Sequence, residues 1–324
     1  MKRRNKKYSI TVLIFVCFLL SSYYNVLALQ INKEGAPEVY IIVDKNGNGD
    51  FTSIQKAIDY VPSGSTIYVK NGEYHEIVDI NKPLSLVGED KDATLISPIS
   101  EKNKYAVGLG AQNIKISNFG IKNRAPGLYT TGIKITSSNI EISNCNLFDT
   151  PVGIALWGVS NIVIDQCEGW NCRDEVIACL GWKDKICEKN KITNCIFYDN
   201  CDGIELQYSS NNIIRNCEFY NNRAAIDAIG SNNDGNLFTG CIIKNNNYGI
   251  YLSSSSNNII KNCEISGNKD GDIEMNKYSN NNQVISTNEQ ESTLENTQST
   301  IKNFLGLFLK AKNSKILQLL SLID

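Results

Sequence analysis

The sequence predicts an all-β fold: a right-handed parallel β-helix whose coils each hold three short strands. Three observations predict it. An apolar strand recurs along the chain as "NIKISNF" ending at Phe119, "NIEISNC" at Cys145, "NIVIDQC" at Cys167, "NKITNC" at Cys195, "NIIRNC" at Cys217, "NLFTGC" at Cys241 and "NIIKNC" at Cys263. The steps are 26, 22, 28, 22, 24 and 22 residues. A second anchor keeps phase with the first: "GIKI" at 132, "GIAL" at 153, "EVIA" at 175, "GIEL" at 203, "AIDA" at 225, "GIYL" at 249 and "DIEM" at 272. Two anchors in phase at such a period mean a solenoid. Third, each repeat splits into short alternating segments, as in Ile140-x-Ile142, Cys145-x-Leu147 and Ile154-x-Leu156. Alternation marks a strand with one buried face. A leucine-rich repeat has a similar period, but its L-x-x-L-x-L-x-x-N frame is absent.

The N-terminus begins "MKRRNKK", continues with an apolar run from Ile10 to Leu20 and reaches a small residue at Ala28. This pattern predicts a signal peptide over 1–28, cleaved after Ala28, and a protein secreted or held at the extracytoplasmic cell surface. The run is shorter than the ~20 residues of a membrane-crossing helix. Residues 1–28 hold five basic residues and no acid, leaving 27 Lys and Arg against 34 Asp and Glu. Such a balance gives no electrostatic reason to bind nucleic acid.

Residues 29–100 are expected to form an N-terminal cap and the first coils. In "VDKNGNGDFTSIQKAIDYVPSGSTIYVKNGEYHEIVDINKPLSLVGED" (Val43 to Asp90), Thr52 and Gln55 are spaced as a capping box. Ile54, Ala57, Ile58 and Val61 then line one helical face, suited to plug the end of a solenoid. The stretch resembles the opening of pectin methylesterases and related pectin-lyase-like proteins, through G-x-G-D-F-T-x-I-Q-x-A-I, then I-Y-V-K-x-G-x-Y and L-x-L-x-G. The resemblance covers about the first third of the chain after residue 28. The repeats over 101–285 resemble generic parallel β-helix repeats and the copper-processing accessory proteins of nitrous-oxide reductase. The esterase signatures QAVAL, QDTLY and GRPW are missing, and "LFDTPVG" keeps only Asp149 and Thr150. Esterase activity is therefore not carried over. Copper traffic favours Met and His, whereas the chain has 2 Met and 1 His, the latter (His75) expected on the surface near the cap.

Of 11 Cys, Cys17 lies in the expected signal peptide. In stacked coils, Cys145, Cys167, Cys195, Cys217, Cys241 and Cys263 become an inward ladder of small free thiols. The residues before them, such as Asn144, Asn194 and Asn216, suit sharp turns and side-chain ladders. Cys172, Cys179 and Cys187 fall in the 28-residue step, where a disulfide between two of them is expected and metal binding is the other reading; the state of Cys201 is open.

Resemblance to pectin-active β-helices implies substrate on the outer face of one strand and the preceding turn. Phase assigns that face to the "GIxL" strand, with outward residues Lys134, Ala155, Ile177, Glu205, Asp227, Tyr251 and Glu274. Glu205 and Asp227 then occupy adjacent coils ~4.8 Å apart. Two stacked carboxylates raise one pKa or recruit a cation, which fits a general acid–base pair or a Ca²⁺ site built from Asp202, Glu205 and Asp227. The catalytic candidates are Glu205, Asp227, Asp202, Arg223 and Arg173. Trp157, Trp182, Tyr251, Asp174 and Glu175 are the candidates for substrate binding. The same charges also read as a solvated salt-bridge network. The leading expectation is a protein that binds a polysaccharide, with cleavage as a lyase or glycosidase left open. A non-catalytic surface or adhesion scaffold is the alternative, and a copper-processing accessory protein comes third.

Residues 286–300 are polar and expected to form a linker. Residues 301–324 turn apolar at helical spacing, through Phe304, Leu305, Phe308, Ile316, Leu317, Leu320 and Ile323. This tail is expected to cover the C-terminal coil, or else to meet a membrane surface or a partner.

Overall fold

The computed structural model describes residues 40–99, 104–127 and 130–286. The expected signal peptide, nearly all of the linker and the 301–324 tail lie outside the described residues. The alternating segments form strands that pair in parallel with their counterparts one coil away. They make three long sheets of 11, 9 and 9 strands, so the chain is a parallel β-solenoid with three strands per coil. The first sheet runs from Tyr40–Val43 to Gln283–Ile285, the second from Gly72–Tyr74 to Glu264–Ser266, and the third from Val78–Ile80 to Gly271–Met275. Alternation supplies the core: Ile142, Ile164, Ile192 and Ile214 are buried in the first sheet, and Ile154, Ile177, Ile204 and Ile226 in the third. Each such side chain contributes about 1.5–3 kcal/mol by leaving water.

The turns explain the wealth of Asn. Most coils bend three times, and each bend carries a residue with positive φ. The first bend uses Asn118, Asn144, Gln166, Asn194, Asn216, Gly240 and Asn262; the second includes Asn171, Asn221 and Asn245; the third includes Asn139, Asn161, Asn211 and Asn257. Asn tolerates this left-handed conformation because its short side chain bonds locally. The expected ladder at the first bend is bonded only in places, as Asn144 Nδ2 to Asn118 Oδ1 at 2.8 Å. Better-made ladders lie elsewhere. Asn190, Asn212, Asn236 and Asn258 are buried, and the backbone N–H of each of the first three donates to the Oδ1 of the next, at 2.8–2.9 Å. Asn200, Asn222, Asn246 and Asn268 form a second such run.

The thiol ladder is present: Cys145, Cys167, Cys195, Cys217 and Cys241 are buried and Cys263 is partly so. Burial pushes the Cys195 thiol well above its usual range, as suits inert core packing. On the outside of the second sheet Phe148, Trp170, Tyr198 and Tyr220 stack with centroids 4.9, 6.0 and 4.9 Å apart.

Two local expectations need correction. The helix Ile54–Tyr60 buries Ile54, Ala57 and Ile58 as its pattern implies, but its N-cap is Ser53, not Thr52. Glu76, from the following coil, completes the cap by accepting from Ser53 Oγ at 2.7 Å, Ile54 N at 2.8 Å and Gln55 N at 3.0 Å. Gln55 instead ties to Asp59 and to the backbone of Asp79. The second correction concerns the inserted cysteines. All ten Cys among the described residues are free thiols; Cys179 and Cys187 face each other in the core, and Cys172 is buried beneath another turn.

The buried Asn ladder is the most sensitive part of the stack. Asn236→Ala strips a partner from Asn212 N and from the Ser209 carbonyl, and denaturant unfolding is expected to show a loss of at least about 2 kcal/mol. Asn216→Gly, at an exposed bend with φ 53°, is expected to change stability by well under about 1 kcal/mol.

Candidate functional site

Register in the third sheet sets the outer face. Lys134 pairs with Ala155, Ala155 with Ala178, Ala178 with Glu205, Glu205 with Asp227, Asp227 with Tyr251, and Tyr251 with Glu274. The expected neighbours Glu205 and Asp227 are thus in register. Ile177 is a correction: it pairs with Ile154 and Ile204 and is fully buried inside, because "EVIA" runs one residue out of phase with "GIAL". Ala178 takes the outward place.

That shift has a chemical consequence. Two successive coils present only Ala155 and Ala178 outward, so the face sinks between larger neighbours. A hollow of about 520 Å³ results, lined by Thr131, Val152, Ala155, Trp157, Asp174, Glu175, Leu180, Gly181, Trp182, Glu205 and Gln207. The insertion in the 28-residue step builds one wall. Gly181 N donates to the Gln207 carbonyl at 2.7 Å, and Trp182 and Lys185 close a tight turn through reciprocal backbone bonds of 3.1 and 2.9 Å. Trp182 is raised on that turn, 43% exposed, while Trp157 stands at the end of the Val152–Trp157 strand.

Glu175 is the most constrained group in the hollow. It is 4% exposed and its Oε2 has no partner. Burial, reinforced by Asp174 and Glu205, pushes its pKa up to about 9. Burial likewise raises Glu205 to about 7, helped by Asp174 and Asp227. The indole Nε1 of Trp157 is a second buried polar atom without a partner. Both atoms belong to side chains that line the hollow, but both are themselves buried.

Beside the hollow, Arg223 Nη2 donates to Asp202 Oδ2 and, at 2.7 Å, to Asp227 Oδ2. Asp202 is 1% exposed and also accepts from Ala224 N. Burial raises Asp202 to about 6 against the pull of Arg223. The guanidinium stands where the expected calcium would neutralise these acids. Among the described residues no group of three or more His, Cys, Asp or Glu is arranged to hold a metal ion. Asp202 and Asp227 are held by this guanidinium rather than left free to ligate a cation.

The remaining candidates lie apart. Arg173 turns towards the Ala125 carbonyl, at 3.3 Å, and lines a separate hollow of about 260 Å³ with Arg124, Asp149 and Asn171. Tyr251 tilts against Tyr248, 6.1 Å between ring centroids, outside the main hollow. Gln207 and Leu180 line the hollow and were not anticipated. The available signal was the small outward residue in "IAL" and "IAC", read in the correct phase.

A family model described as "Right handed beta helix region" matches residues 97–236 and 187–316, more than half of the chain. The chain belongs to this family, within the pectin-lyase-like superfamily of right-handed β-helices. More particularly, a pectinesterase model matches residues 40–144. Probable pectinesterase 67 of Arabidopsis thaliana is 36% identical over 115 residues, 32% of each chain. Pectinesterase 31 of the same plant is 26% identical over 151 residues, 44% of each. The chain therefore spans less than half the length of either relative. Among solved structures, the enzymatically active domain of bacteriophage CBA120 tailspike protein 2 superposes with a TM-score of 0.54 at 13% identity, over 72% of this chain and 40% of that one. The pectinesterase model ends at residue 144, before every residue of the hollow except Thr131.

A carboxyl group whose pKa is higher in the folded than in the unfolded chain holds its proton more tightly when folded. Glu175, at about 9 folded against 4.5, therefore contributes its full stability below pH 4.5 and loses it as pH rises to about 9. Thermal melting is expected to fall between pH 5 and pH 9, and Glu175→Gln is expected to flatten that fall. An equally steep profile in the variant would contradict the assignment.

Proposed function

We propose that this chain binds a polysaccharide along the outer face of its third sheet and hydrolyses a glycosidic bond there. The observation that carries the reading is the hollow itself, whose lining brings together a buried carboxyl with an unpartnered oxygen, a second carboxyl and two Trp side chains. Hydrolysis needs one carboxyl that keeps its proton at neutral pH and another that ionises there and can take a proton up. Glu175 has the first property and Glu205 the second. Glu175 would protonate the leaving oxygen while Glu205 takes a proton from the attacking water. Asp202, Asp227 and Arg223 form an ion-paired buttress that holds the Asp202–Gln207 strand, and hence Glu205, in place.

The likeness to pectinesterases supports a carbohydrate ligand in general terms. We read the chain as exported on the basic, apolar and small-residue pattern of residues 1–28. The Ile54–Tyr60 helix and the 301–324 tail would close the two ends of the stack.

Incubation with a panel of neutral and acidic polysaccharides, followed by reducing-end analysis, tests the reading. Product is expected from at least one substrate, falling about 100-fold or more in Glu175→Gln and in Glu205→Gln with binding retained. Binding with no product from any substrate would leave a non-catalytic surface scaffold.

A further inference from the structure

We infer that the hollow selects a glycan without acidic groups and rejects polyuronates, the reverse of what likeness to pectin-active proteins implies. This inference rests on the proposed carbohydrate site and specifies its substrate class. The lining contains three carboxyl side chains, Asp174, Glu175 and Glu205, and no Lys, Arg or His. A uronate would bring a further carboxylate on every sugar into this enclosure. Recognition of such a chain needs a cation at each subsite, because like charges within a few ångströms repel and the protein wall screens them poorly.

Four of the nearby cations have other partners. Arg223 is held by Asp202 and Asp227 and also donates through Nε to Cys201 Sγ at 3.4 Å. Lys134 lies over the rings of Trp157 and Tyr105, 5.6 and 5.8 Å from their centroids. Lys185 lies over Trp182 at 5.5 Å. Arg173 turns away to the Ala125 carbonyl. Turning Arg223 towards a uronate would strip the partner from two carboxylates that are 1% and 5% exposed; leaving buried charges unpaired is strongly unfavourable. A divalent cation finds no ready alternative, since no metal-holding group of three side chains exists among the described residues.

The unpartnered atoms point the same way. Trp157 Nε1 is a donor and Glu175 Oε2 a carboxyl oxygen, each without a partner, while the Glu175 carboxyl is also hydrogen-bonded to Asp174. Hydroxyl and ring oxygens satisfy both, since a hydroxyl donates and accepts. A carboxylate could only accept, and it would do so beside Asp174 and Glu205. The lyase alternative loses its footing with the uronate, because its chemistry requires neutralisation of the sugar carboxylate. Hydrolysis does not.

The test uses matched pairs that differ only in charge: hexamers of galacturonan, mannuronan and glucuronan, each beside its carboxyl-reduced counterpart of identical linkage. Binding to the full chain without residues 1–28 is measured by quenching of Trp fluorescence at pH 7, with calcium and with chelator. The expected result is at least one reduced hexamer binding about tenfold or more tighter than its uronate partner. That ratio should narrow at high salt, where repulsion is screened, and should narrow also in Asp174→Asn. A uronate hexamer that binds as tightly as its reduced partner, or tighter, overturns the substrate class while leaving the site intact. No binding by any hexamer of either kind overturns the carbohydrate reading on which the inference stands.

Discussion

Everything in this molecule depends on vertical registry, the requirement that each residue sit directly above its counterpart one coil earlier. Backbone hydrogen bonds along the axis enforce it in all three sheets. They can do so only because the chain bends sharply without leaving the plane of the coil. The left-handed Asn residues make those bends, and the buried Asn ladders join one coil's bend to the next. A side chain that bonds the N–H of the neighbouring coil replaces the water such a group would otherwise need, so the bends can be buried. A slip by one coil position would break both ladders and the core together.

Registry also creates the site. An outward position in a solenoid is ordinarily an exposed place on a flat wall. Here two alanines in succession lower the wall, the insertion before Cys187 raises a rim, and acids from neighbouring strands are driven to within interaction distance of one another. Their raised pKa values follow from that enclosure first and from mutual repulsion second. The nearby Arg223 relieves Asp202 and Asp227 but leaves Glu175 without a counter-charge. The arrangement separates a structural set of charges from a chemically available one.

Much of this was legible in advance. The two anchors, the three strands per coil, the thiol ladder and the pairing of Glu205 with Asp227 all follow from counting residues. What escaped was local. Ile177 and Ala178 exchange roles because the turn between Trp170 and Ile177 is longer by a residue than its counterparts, and a period of 2 turns such an error into the opposite face of the sheet. Ser53 displaces Thr52 as the helix cap because Glu76 arrives from the next coil to complete it. In place of the expected disulfide, Cys179 and Cys187 meet in the core as free thiols and Cys172 lies under a different turn.

By itself the sequence determined the repeat, the phase of most coils and the set of polar residues that share one face, since these depend on spacing alone. Tertiary structure decided which of those residues remain chemically free. Arg223 reaches two acids and pairs with both; Arg173 turns away for a carbonyl; Glu175 keeps one oxygen without a partner. Spacing along a strand fixes height and face, but not the direction of a long side chain or the depth of the surface beneath it. Those are set by the volumes of neighbours one coil above and below, which lie more than twenty residues away in the chain.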